Sequence, residues 1–153
     1  MSDTIRESII ASITTALADI RTASGYNTDA GRLVRRGIPI TDQDQMPALS
    51  VLPLTEENEP LSGRHYLAMR FRVDGIIKYT SKNPSVVGEL LLGDIIKRMT
   101  NRSLSAVHGG YADQLQYVEG GIEDYPEPGQ YSVAVYATFE IKYKTNLGDP
   151  YNQ

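Results

Sequence analysis

The residues capable of chemistry are few and scattered. His65 and His108 are the only histidines, and there is no cysteine. Serines and aspartates are plentiful enough to compose a Ser-His-Asp set, but no Gly-x-Ser-x-Gly elbow or similar context supports one. Both histidines therefore read as surface loop residues, and no catalytic residue is assigned. Glu56, Glu57 and Glu59 could together hold a hard cation, yet they lack the spaced Asp/Asn pattern of a calcium loop. They read as a solvated acidic loop. Gly109-Gly110 and Gly120-Gly121 are followed neither by Lys-Ser/Thr nor by a helix start, so they are turn and bulge glycines rather than a phosphate cradle. Without cysteine, disulfides, thiolate chemistry and Cys-based zinc or iron–sulfur sites are excluded. The reading is of a protein that is not an enzyme and needs no cofactor or metal.

Residues suited to binding are easier to find. Arg35-Arg36 is the one basic pair in the first half; it either contacts phosphate or an acidic partner, or is simply solvated. Tyrosine dominates the aromatics, with 10 Tyr against 2 Phe and no Trp. Tyr66 and Tyr136 fall on the polar faces of long strand patterns. Such tyrosines are either ordinary amphipathic surface residues or parts of an interface, where tyrosine is enriched. With the three glutamates and two arginines they make the candidate interface: Glu56, Glu57, Glu59, Tyr66, Tyr136, Arg35 and Arg36.

The elements that must position these residues are legible from periodicity. Tyr131, Val133, Val135, Ala137, Phe139, Ile141 and Tyr143 alternate with Ser132, Ala134, Tyr136, Thr138, Glu140 and Lys142, a long period-two pattern with one face made for a core. So strong a strand at the end of the chain is expected in the interior of a sheet, where its edges are protected. Leu67, Met69, Phe71, Val73, Ile77 and Tyr79 give a second such strand, with Gly75 marking a bend or a close backbone approach. Leu33 to Ile40 and Ala48 to Leu54 read as two shorter strands around a polar link, Thr41 to Gln45. Thr55 to Gly63 reads as an acidic loop closing a hairpin, and Leu115 to Glu123 as a weaker strand. Pro126-Glu127-Pro128-Gly129 suits a type II turn.

Two helices complete the order. Residues 3 to 22 place Ile5, Ile9, Ile13, Leu17 and Ile20 on one face, capped by Asp3 or Thr4, with Thr4 and Glu7 fitting a capping box. Pro84 to Arg102 is the second, with Asn83 as N-cap and Val87, Leu91, Ile95 and Met99 as its buried stripe, widened by Val86, Leu90 and Ile96. Thr22 to Arg32, polar and Gly-rich, is expected to be mobile, and Ser103 to Asp113 is a loop. The order α-β-β-β-α-β-β predicts one α+β domain over residues 1–153. It has a mostly antiparallel sheet of about five strands, joined by hairpins, with two helices on one face.

Composition bounds the rest. The 153 residues are 41% hydrophobic and 22% charged, ordinary for a globular domain. A net charge of −4 argues against a dedicated duplex-DNA binder. No signal peptide is visible after Met1, and no apolar run approaches the roughly 20 residues of a membrane span. No membrane is expected as a partner, and the protein is expected to stay in the cytoplasm where it is made.

Two short segments and the ending add a family likeness. Val34-Arg35-Arg36-Gly37-Ile38-Pro39 and Met46-Pro47-Ala48-Leu49-Ser50-Val51 resemble the early region of phage tail terminator and tail completion proteins, the minor tail protein U type. The long final strand, Tyr143-Lys144-Thr145 and Gly148-Asp149-Pro150-Tyr151 resemble their ending, and the likeness covers nearly the whole chain in element order. It implies a structural virion protein of a phage or prophage, assembled in the host cytoplasm. Such subunits form a six-membered homo-oligomeric ring on the head-proximal end of the tail tube. The ring meets the major tail tube protein on one side and the head connector or completion protein on the other, and lets DNA pass without specific binding. The motifs define no family functional residue to carry over. Another connector or neck component, or a small-molecule-binding domain or enzyme with its site in Ser103 to Asp113, are the alternatives.

Overall fold

In a computed structural model of the chain, residues 2–41, 45–101 and 112–153 are described. The elements in chain order are α1 (Ile5–Leu17), β1 (Val34–Arg36), β2 (Ala48–Leu61), β3 (Arg64–Lys78), α2 (Pro84–Thr100), β4 (Ala112–Asp124) and β5 (Ser132–Asn146). The strands form one sheet in the order β1-β2-β3-β5-β4. The expected α+β class, strand number and strand order along the chain are those observed. β5 is interior, paired with β3 on one side and β4 on the other. Both helices cover one face, where Phe71, Phe139, Ile9, Ile13, Leu91 and Ile95 are fully buried.

From Val133 onward the odd positions of β5 are the buried ones, whereas Tyr131, expected on the same face, precedes the strand and is exposed, and Thr138 is buried at an even position. Val133, Val135, Ala137, Phe139, Ile141 and Tyr143 are all buried, and Phe139 stacks on Phe71 with ring centroids 5.3 Å apart. Gly75 is where β3 passes beneath α2: a Cβ there would meet Leu91 Cδ2 at 2.9 Å. The close approach read from the sequence is to side chains, Leu91 first and then Leu49 and Val135 at 3.2 Å.

The expected N-caps form, although the Glu7 carboxylate pairs with Arg36 and so does not close the capping box with Thr4. The Glu7 N–H donates to Thr4 Oγ1 at 3.1 Å and the Ser85 N–H donates to Asn83 Oδ1 at 2.9 Å, satisfying donors that have no intrahelical acceptor. Between β4 and β5 the Gln130 N–H donates to Glu127 O at 2.9 Å, with Gly129 at φ 89°, as a Pro128-Gly129 type II turn demands.

Several expectations are corrected. Thr55 to Gly63 is not a loop: β2 continues to Leu61 and a two-residue turn, Ser62-Gly63, leads into β3. Both turn residues have positive φ, 53° and 75°, the type I′ geometry that matches strand twist. The polar sequence hid the strand because a register irregularity between Pro53 and Glu56 breaks the alternation, and beyond it β2 has outrun the core. β1 and β2 are not a hairpin but a parallel pair, with Val34 opposite Leu49. α1 ends at Leu17 instead of residue 22, although Ile20 still reaches the core through a turn whose N–H donates to Leu17 O at 3.1 Å. Val86 lies on the exposed side of α2, so it does not widen the apolar stripe.

The segment Thr22 to Arg32 is tied down, against expectation. It contains two short 3-10 turns, Thr22–Ser24 and Ala30–Arg32, and α2 grips it through the buried Asp94. That carboxylate accepts from the Thr28 N–H and hydroxyl, each at 2.8 Å, and from the Asn27 N–H at 3.1 Å. The expected loop from Ser103, with His108 and Gly109-Gly110, lies outside the described residues as far as position 111, and the side chain of Asp113 lies outside them too. So do Arg102, the last expected residue of α2, and positions 42–44 of the polar link.

Candidate interaction surface

A strand of fifteen residues spans ~50 Å, whereas helices of thirteen and seventeen residues span only ~20 and ~25 Å. β3 and β5 therefore outrun the helices that cover them. Around the Ser62-Gly63 turn, Leu61, Leu147 and Tyr151 are exposed, and the Leu147 N–H donates to Gly63 O at 3.1 Å. At the opposite end, Tyr125 and Tyr131 flank the β4–β5 turn, and Tyr131 is the most exposed large apolar side chain among the described residues at 69%. The chain following β5 returns to the helices, where the Ile5 N–H donates to Pro150 O at 2.9 Å. The two ends of the sheet are thus chemically distinct.

The face away from the helices carries the even positions of β5 and their neighbours. The register aligns Glu59, Tyr66 and Lys144 in one cross-strand row and Glu57, Ala68 and Lys142 in the next. These rows border a cavity of about 590 Å³ that is open along the sheet surface. Further along, Arg72 is held by Asp74 and Glu123 and lies over the Tyr136 ring at 4.6 Å, while Arg70 pairs with Glu140 at 3.5 Å. Burial works against the Arg72 charge, but its bonds to Glu123 and Asp74 outweigh that and raise its pKa. Burial likewise pushes the Asp74 carboxyl up, with Arg72 opposing. Acids match bases on this face, so it offers no cationic track for a nucleic-acid backbone.

The sequence candidates divide in two groups. Glu57, Glu59 and Tyr66 sit together on the open end of the sheet, and Tyr136 sits further along the same face. Glu56 instead turns inward to Tyr143 and Arg6, and Arg36 makes a bidentate pair with Glu7 at 2.6 and 2.5 Å. The Arg36 bond holds Glu7 below the usual carboxylate range. Arg35 lies on β1 opposite Ser50, away from the glutamates. Lys142 and Lys144 were missed, although both are even positions of the β5 alternation and so were readable as face residues. Asp94 was missed too; its signal was a charge beside Leu91 and Ile95 on the apolar side of a helix.

Among the described residues no three His, Cys, Asp or Glu side chains converge to hold a metal, and His65 Nδ1 lies 2.8 Å from Asn58 Nδ2. No described helix is long and apolar enough to cross a membrane. No protein-family model matches the chain, and no curated protein matches it.

Proposed function

We propose that this protein is the terminator of a phage or prophage tail, a structural subunit that caps the head-proximal end of the tail tube as a ring and offers a head-joining surface. The observation that carries the reading is the sheet that outruns its helices and ends in two different exposed patches, Leu61 with Leu147 and Tyr125 with Tyr131. A subunit placed between tube and head needs two such surfaces and no catalytic group. The likeness of the Val34 and Met46 segments and of the chain ending to tail terminator proteins supports the same role. Its net charge of −4 suits a ring that passes DNA without gripping it.

Electron microscopy of tube lengths tests this. Purified protein added to polymerising tube subunits should shorten the tubes, and deletion of the gene should leave heads and tails unjoined, with tails of abnormal length. Unchanged tube lengths at excess protein, together with joined virions from the deletion, would replace termination by another connector or neck role.

A further inference from the structure

Two lines of opposite charge run along the strands of the open face without partners among the described residues. Glu57 and Glu59 on β2, and Lys142 and Lys144 on β5, make no side-chain hydrogen bond or ion pair among the described residues. β3 keeps the two lines apart, since two strand spacings separate them by ~10 Å. Between them lie Tyr66 and Ala68, an apolar floor. Whatever covers this end must set cations over the glutamates and anions over the lysines, at that same separation.

We propose that a second copy of this chain docks here, face to face, about a two-fold axis parallel to β3. That axis exchanges β2 with β5, so Glu57 lies over the partner's Lys142 and Glu59 over the partner's Lys144. An axis across the strands would set glutamate over glutamate, so the charge pattern selects one geometry. β3 lies on the axis, where Tyr66 and Ala68 meet their own counterparts. Arg70 and Arg72 also lie on it, but each is already paired, with Glu140 and with Asp74 and Glu123. Sheets stacked ~10 Å apart leave room for Glu–Lys pairs, and aligned packing suits two faces of the same twist. Three strands ~50 Å long offer a face on the order of 700 Å², near the ~800 Å² each partner buries in a standard interface. The contact is isologous, so it pairs chains and does not close a ring. It stands apart from the tail reading, which can fail without it.

Sedimentation velocity of the full chain over concentration and salt series is the test. The expected result is a dimer that weakens as salt rises, because its pairs lie at a solvated rim. E57K/E59K and K142E/K144E should each raise the dimer dissociation constant at least tenfold. The chain bearing all four reversals should dimerise again, and an equimolar mixture of the two double variants should form a heterodimer. Circular dichroism establishes that each variant is folded, and the mixture provides the control if the four-fold variant is not. A wild-type chain that stays monomeric, or that assembles with an affinity indifferent to the double reversals, overturns the proposal. Failure of both compensating experiments with folded proteins overturns it equally.

Discussion

The Tyr143 hydroxyl donates to a Glu56 carboxylate oxygen at 2.6 Å, reaching from β5 to β2 across the intervening β3. Arg6 of α1 approaches the same carboxylate at 3.4 Å and donates to Leu54 O at 2.7 Å. One glutamate thereby joins three elements where the helical layer ends. Burial, with the Glu56 bond adding to it, pushes the Tyr143 phenol well above its ordinary pKa of 10.0.

That raised pKa makes an alkaline prediction. Above pH 10 the unfolded chain ionises Tyr143 while the folded chain keeps its proton, so the folded state binds more protons and stability falls as pH rises. Its contribution is complete below pH 10 and is lost progressively above it. Tyr143→Phe should cost about 1 kcal/mol at neutral pH. In thermal melts between pH 8 and pH 11, the variant should lose less stability above pH 10 than the wild type does.

Asp94 should matter more than any exposed acid. Asp94→Ala strips the Thr28 N–H and hydroxyl and the Asn27 N–H of their buried acceptor, a loss on the order of 3 kcal/mol. Urea unfolding measures the total. Hydrogen exchange should rise first between residues 22 and 32, because α2 holds that segment through this carboxylate.

Phe139 and Glu57 provide a paired test of the sheet faces. Phe139→Ala removes a fully buried ring stacked on Phe71 and should cost ~3–5 kcal/mol. Glu57→Ala, on the exposed end, should change stability by less than ~0.5 kcal/mol. Equal urea midpoints for the two variants would mean that the assigned register is wrong.

Gly75→Ala tests the crossing of β3 beneath α2. The added methyl meets Leu91 Cδ2 at 2.9 Å, so overpacking should cost ~1–3 kcal/mol. Combining it with Leu91→Ala should recover part of the Gly75→Ala cost, which a double-mutant cycle in urea would measure.

What the chain encodes locally was legible from residues alone. Alternation from Tyr131 to Tyr143 marks a strand because side chains on an extended backbone alternate between faces, and Thr4 and Asn83 mark helix starts because their side chains accept from neighbouring N–H groups. The candidate site was legible in part: Glu57, Glu59 and Tyr66 do share an exposed end. What depends on distant partners was not. The polar residues from Glu56 to Glu59, with Pro60 and Leu61 after them, become strand because β3 returns beside them, and β1 runs parallel to β2 because of pairing that no local pattern specifies. Glu56 turns inward because Tyr143, 87 positions away, arrives above β3. Asp94 organises Asn27 and Thr28 because α2 packs against a segment 66 positions earlier. Periodicity reports which face a residue occupies; only tertiary pairing decides what it meets there.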